Sequence, residues 1–275
     1  YVNNDDGTWS WNIGGPIGDD IATVREKGTL KYQTAFPGIQ PDYWFTGITD
    51  PDESYLITQR SKMLDYGDAK IDPSKKVLGF VGSINTSNMN DFLVGYLEGV
   101  LYVDPVIKVV TSYVGSFEDV SKCMEMTTQL YNQGAQVVYA PASQSILGAV
   151  TAAQKSDKYL IACDQDLYAE LKDSDPELAA NVISSSLKNV GDSIYTSVKG
   201  WSEGTMSLDQ DYILGLASGP VGLAKNENYT KLVPEDIQKF IDETEQKVIS
   251  GDITVGTAFD MTTEDVAALR DGMKP

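Results

Sequence analysis

From Lys76 to Gly204 the sequence alternates short apolar runs with amphipathic stretches, and this alternation constrains the fold more than any other feature. Val77-Leu78-Gly79-Phe80-Val81-Gly82 is apolar at consecutive positions, the pattern of a strand buried on both faces. Phe92, Leu93, Tyr96, Leu97, Val100 and Leu101 follow at helical spacing. The cycle then repeats, with a strand over 107–114, a helix over 120–131 closed by Gly134, a strand over 136–140 and a helix over 145–154. A further strand over 159–163 runs straight into Asp164. Repeats of this kind build βαβ units, so the expected class is α/β with a parallel, doubly wound sheet.

Two more strands are expected, at 181–185 and 212–216. The helix between them would turn Leu187, Val190, Ile194 and Val198 inward. Gly219-Pro220-Val221-Gly222-Leu223 reads as too rich in glycine for a regular element. Pro234 opens a helix stopped by Gly251, a short strand is expected at 253–255, and Thr262 starts a last helix. Before the alternating region lie strand-like pieces at 29–35 and 43–48 and a helix over 53–64. Boundaries near Ser74 and Thr205 imply a central lobe, 75–205, and a smaller first lobe assembled from 1–74 with 206–275. A cleft between them would close on a ligand.

Parallel sheets bind ligands beyond the carboxyl ends of their strands. Ser83 and Asn85 stand there after the first core strand, Gly115-Ser116-Phe117 after the second, Ser143 and Gln144 after the third, and Asp164 and Asp166 after the fourth. Asn85, Ser87 and Asn88 also suit an N-cap, as does Ser116. Trp9, in a segment of glycine and aspartate, offers a face for stacking on an aromatic ligand.

Charge decides what such a ligand can be. The 275 residues carry a net charge of −19, which works against nucleic-acid binding and against attachment to anionic lipid. The chain has no histidine, so Ser-His-Asp and Cys-His nucleophile systems and the commonest zinc ligand are absent. No EF-hand spacing occurs, and no metal or cofactor is expected. Cys123 and Cys163 read as small buried apolar residues, with a disulfide between them left open. Residues 1–20 show neither a signal peptide nor a lipid-attachment cysteine, which reads as a cytosolic or already trimmed chain.

Several segments taken in order resemble one family. They are Glu53-Ser54-Tyr55-Leu56, the 77–82 strand, Asp91-Phe92 with Gly95-Tyr96 and Gly99-Val100, and the run from Val109 to Phe117. Tyr131-Asn132-Gln133-Gly134-Ala135, Asp164-Gln165-Asp166, Leu187-Lys188, Val221-Gly222-Leu223-Ala224 and Ile249-Ser250-Gly251-Asp252-Ile253 continue the series. Over roughly residues 50–256 the chain resembles the basic membrane protein family of solute-binding lipoproteins, whose best-understood members bind purine nucleosides.

The resemblance implies a type I periplasmic-binding-protein-like fold and a non-enzymatic carrier working with the permease of an ABC importer. It implies an extracytoplasmic place, at the cell surface or in the periplasm, with membrane contact only through a lipid anchor outside this chain. Asp164 matches the family's aspartate that hydrogen-bonds ribose hydroxyls, and Lys188 its lysine near the sugar. Two departures stand out. Pro141-Ala142-Ser143-Gln144 replaces a loop containing Gly-Gly, and the first lobe reads as reduced. A second reading is therefore a surface or signalling protein that keeps the fold with altered or lost ligand binding. A third is a carboxylate-dependent hydrolase using Asp164 and Asp166.

Overall fold

A computed structural model describes residues 70–207 and 214–275, together with Val2–Asn3, Trp9–Ser10 and Met63. The chain divides into two compact units, residues 1–47 with 194–212 and residues 48–193 with 213–275. In the first, β1 (Val2–Asn3) pairs antiparallel with β2 (Trp9–Ser10). The strands expected at 29–35 and 43–48 and the helix at 53–64 lie outside the described residues, Met63 apart.

The second unit holds a six-stranded sheet. Its elements run β3 (Val77–Gly82), α1 (Ser87–Val103), β4 (Lys108–Tyr113), α2 (Val120–Asn132), β5 (Val137–Tyr139), α3 (Ile146–Lys155) and β6 (Tyr159–Asp164). Then come α4 (Leu167–Leu171), α5 (Pro176–Ala179), β7 (Val182–Lys188), α6 (Val190–Ser202), which from Ile194 on belongs to the first unit, β8 (Val221–Leu223), α7 (Glu227–Leu232), α8 (Glu235–Ser250) and α9 (Thr263–Gly272). Spatial order is β4-β3-β5-β6-β7-β8, parallel throughout except for antiparallel β8. The chain leaves β3 toward β4 and returns to β3's other side as β5. The strand order therefore reverses at the β3–β5 seam, which is where ligands collect on such sheets.

Each face of the sheet has its own core. On one, Phe80 packs against Tyr96, Tyr113 and Tyr139 with ring centroids 5.9, 6.3 and 5.8 Å away. The hydroxyl of buried Tyr96 donates to the Gly79 carbonyl at 3.1 Å, so this aromatic core leaves that polar end paired. On the other face α2 and α3 cover Val81, Val110, Val138 and Leu160. A Cβ on Gly148 of α3 would collide with the Val120 carbonyl oxygen, so the close approach of these two helices requires glycine there.

Residues 214–275 correct the sequence reading. They belong to the same core as β3 and α1, because Leu216, Val221, Leu223, Tyr229, Ile237, Ile241, Ala258, Val266 and Met273 are buried in the cluster that holds Phe80. Helix α1 explains the arrangement. It buries Phe92, Leu93, Val94, Tyr96, Leu97 and Val100, a set wider than one face, so the sheet alone cannot cover it. The expected strand at 253–255 does not form: the Ile253 amide closes the turn after α8 by donating to the Lys247 carbonyl, and the residues that follow are tied to α1. Glu98 accepts from the Gly256 amide at 2.8 Å, and buried Asp91 accepts from Thr257 Oγ1 at 2.6 Å and Ala258 N at 2.8 Å.

Three further readings change. Val221–Leu223, set aside for its glycines, is β8, and its backbone ladder with β7 needs no large side chain at Gly222. Leu216, expected to end a strand, instead begins a 3₁₀ turn over Leu216–Ser218, while Tyr212 and Ile213 lie outside the described residues. Val190, Ile194 and Val198, expected inward, are exposed on α6. Helical spacing identified their stripe but not a partner for it. Cys123 and Cys163 are both buried, in the cores of opposite faces, and are not bonded to each other. Among the described residues no helix is long and apolar enough to cross a membrane.

Candidate functional site

The loops beyond the carboxyl ends of the strands are tied to one another by backbone. Ser83 N donates to the Pro141 carbonyl at 3.2 Å, and the Ser83 carbonyl accepts from Gly115 N at 2.6 Å. Ser145 N donates to the Phe117 carbonyl at 2.9 Å. Segments following β3, β4 and β5 thus form one continuous rim at the seam where strand order reverses. Beside it β6 ends at Asp164, whose φ of +70° is left-handed, as is that of Ser143 at +51°. Aspartate tolerates this region better than most residues, yet each such position costs roughly 1 kcal/mol or more.

Asp164 aligns with Leu187 on β7, which brings the next residue, Lys188, to the same edge. Lys188 Nζ meets Asp164 Oδ1 at 2.7 Å, with the two side chains 21% and 37% exposed. A pair this open to water stabilises a fold by about 0–1 kcal/mol at best. It is therefore a poor reason for a strained backbone. Below it a buried polar chain supports the strand ends: the Tyr139 and Ser186 hydroxyls lie 2.9 Å apart, and Cys163 Sγ is 3.7 Å from Asp164 Oδ1.

The other expected site residues fall out differently. Asp166 is engaged within the fold: its Oδ1 caps α4 by accepting from Ala169 N at 3.3 Å and takes a 2.7 Å bond from Asn226 Nδ2. Ser83 is fully buried, and its hydroxyl has no partner among the described residues. Alternation along β3 places its side chain with Val81 on the α2–α3 face. Ser143 and Gln144 are exposed on the loop after β5. Asn85 is exposed after β3, with its Oδ1 accepting from Asn90 Nδ2 at 3.0 Å. The N-cap of α1 is Thr86, not Asn85, Ser87 or Asn88. Asp119 caps α2, and Ser116 Oγ accepts from the Glu118 and Asp119 amides in the turn before it. Trp9 lies on β2 opposite Asn3, in the other unit. Among the described residues no cluster of acidic or thiol groups is suited to a metal.

Two groups at this edge were not singled out individually: Phe117 stood only within the strand-end run Gly115-Ser116-Phe117, and Tyr113 was given no site role. Phe117 is 47% exposed on the rim, unusual for so large an apolar ring. Its signal was an aromatic residue directly after Gly115-Ser116, at the end of a core strand. Tyr113 is the second. Its hydroxyl donates to Asn90 Oδ1 at 2.6 Å, and no local sequence pattern announces that contact.

Residues 71–257 match the model of a family described as ABC transporter substrate-binding protein PnrA-like, Bmp. The chain belongs to the Bmp family. It is 31% identical over 251 residues to Basic membrane protein A2 of Borrelia garinii subsp. bavariensis, spanning 89% of this chain and 70% of that one. It is 29% identical to Basic membrane protein D of Borreliella burgdorferi, with the same coverage. Among solved structures it resembles an ABC transporter solute-binding protein from Aeropyrum pernix K1, with a TM-score of 0.62 and 22% identity over 81% of this chain and 69% of that one. The Bmp chain therefore has the periplasmic-binding-protein type of α/β fold and is a solute-binding protein of the ABC-transporter class.

Proposed function

We propose that this Bmp protein is the extracytoplasmic binding component of an ABC importer and that its ligand is a purine nucleoside. The observation that carries the reading is the Asp164–Lys188 pair, set at adjacent strand tips on a strained backbone that gains little stability from it. A carboxylate has enough lone pairs to accept from two vicinal ribose hydroxyls, and the neighbouring ammonium donates to a sugar oxygen while balancing the charge. Ser143 and Gln144 add polar contacts from the next loop, and the exposed Phe117 ring provides a stacking face for the base. Asn85 stands just after β3 as a further polar contact. Buried Ser83 and committed Asp166 hold the loops that carry these groups. A neutral ligand suits a chain of net charge −19.

The permease is the protein partner, and a lipid anchor outside this chain provides the membrane attachment. Calorimetric titration with inosine, guanosine and adenosine tests the reading, together with the melting temperature. Saturation at about 100 times Kd raises stability by about 2.7 kcal/mol. No heat and no melting shift at millimolar concentrations of all three would remove this ligand class. Mass spectrometry of small molecules released from freshly purified protein gives an independent readout.

A further inference from the structure

At the seam a chain of polar side chains runs inward from Asn85. Asn90 Nδ2 donates to Asn85 Oδ1 at 3.0 Å, and the Tyr113 hydroxyl donates to Asn90 Oδ1 at 2.6 Å. The Arg270 guanidinium of α9 faces the same Tyr113 hydroxyl. Chemistry fixes the direction of every link. The Tyr113 hydroxyl sends its proton to Asn90 Oδ1, and a guanidinium, which only donates, offers it no competing acceptor. Asn90 accepts at Oδ1 and must then present its amino group to Asn85. Asn85 accepts in turn at Oδ1. Its own amino group faces away from the relay, exposed, with no partner among the described residues.

We infer that Asn85 is a specificity-determining residue: the relay Arg270–Tyr113–Asn90 holds its amino group outward as a fixed hydrogen-bond donor, so the site selects ligands that bring an acceptor there. Asn90 and Tyr113 are positioning residues. The inference rests on the nucleoside reading above. β3 lies two strands from β6, roughly 10 Å by the usual strand spacing, a gap that one base-plus-sugar molecule bridges with its ribose at Asp164. Purines that carry a 6-carbonyl (inosine, guanosine) then offer the acceptor, and adenosine offers an amino donor at that position. A fixed donor facing another donor leaves both unpaired, which is the strong form of discrimination.

The test uses Asn85→Asp, which keeps the oxygen that Asn90 needs and replaces the outer donor with an acceptor. Affinities for inosine and adenosine are measured by calorimetry on the intact chain. Wild-type protein is expected to prefer inosine, and Asn85→Asp to reduce the inosine-to-adenosine ratio by roughly tenfold or more. Tyr113→Phe frees the relay at its middle and should reduce the same ratio by about threefold, a change in selectivity that a merely structural role would not produce. Wild-type binding with a ratio unmoved by both substitutions would overturn the inference while leaving the nucleoside reading intact. Failure of wild type to bind either nucleoside would overturn both.

Discussion

At the amino end of the sheet the polar side chains of Lys70, Gln136 and Lys158 are tied into one network. Lys158 Nζ donates to the Lys70 carbonyl and to Gln136 Oε1, which also accepts from Asp72 N at 2.9 Å. Gln136 Nε2 donates to the Gly134 carbonyl at 2.7 Å, and Lys70 Nζ to Asn181 Oδ1 at 2.7 Å while lying over the Tyr159 ring. At the carboxyl end of the same strands Asp164 and Ser143 have positive φ, Ser83 Oγ is buried with no partner among the described residues and Phe117 is open to water. Left-handed backbone occurs at both ends, since Asp157 before β6 has φ +49°, but the carboxyl end adds an open aromatic ring and a buried hydroxyl that stability alone does not explain. Proteins place such costs where they act on ligands, so the contrast itself locates the site.

The sharpest way to break this contrast is to substitute one residue at each end. Gln136 is buried, so Gln136→Leu leaves Asp72 N, the Gly134 carbonyl and part of Lys158 without partners. Urea unfolding should show a loss of about 3 kcal/mol with nucleoside affinity unchanged. Asp164→Asn keeps a residue suited to left-handed backbone but removes the charge that faces Lys188. Affinity should fall by roughly 100-fold, about 2.7 kcal/mol, with unfolding shifted by no more than about 1 kcal/mol. If Gln136→Leu weakens binding as much as it weakens the fold, the two ends are not separate in function.

Titration sharpens the comparison next. Burial raises the Tyr113 pKa from 10.0 to about 12, against a smaller opposing pull from Arg270. An unfolded chain releases this proton near pH 10 while the folded one retains it, so between pH 10 and 12 ionisation favours the unfolded state. Stability from this group is therefore full below pH 10 and lost as pH rises toward 12, by on the order of 2 kcal/mol. Tyr96 and Tyr131, both raised by burial, act in the same direction. Tyr113→Phe should therefore shallow the alkaline decline of wild type, as measured by denaturant midpoints from pH 9 to 12, without abolishing it.

How much of this was legible beforehand follows from the range of the interactions. Strands β3 to β7 announced themselves because consecutive apolar residues leave a buried parallel strand few alternatives. Asp164 was legible as the polar residue at a strand tip, and Thr262 as a cap whose Asp265 completes the capping box. β8 was not, because a three-residue edge strand is made by its partner's backbone rather than by its own side chains. Assignment of 214–275 to the other lobe failed for a related reason: helix periodicity shows which side is apolar and not what covers it. The Tyr113–Asn90–Asn85 relay joins residues 23 and 5 positions apart, beyond any local pattern.

Strain at Asp164 supports a last and smaller test. Inside a strand glycine is normally worse than alanine by roughly 0.5–1 kcal/mol, because it loses more freedom on folding. At φ +70° the order should invert, since alanine's Cβ crowds the following carbonyl in left-handed backbone at a cost of about 1–2 kcal/mol. Both substitutions remove the carboxylate and its contact with Lys188, so that loss cancels between them. Asp164→Gly is therefore expected to be more stable than Asp164→Ala by about 1 kcal/mol, and neither should bind nucleoside measurably. Equal stabilities, or alanine ahead, would mean that the strand tip relaxes without its aspartate. The backbone would then be shaped by the Asp164–Lys188 contact rather than held ready for a ligand by the loops around it.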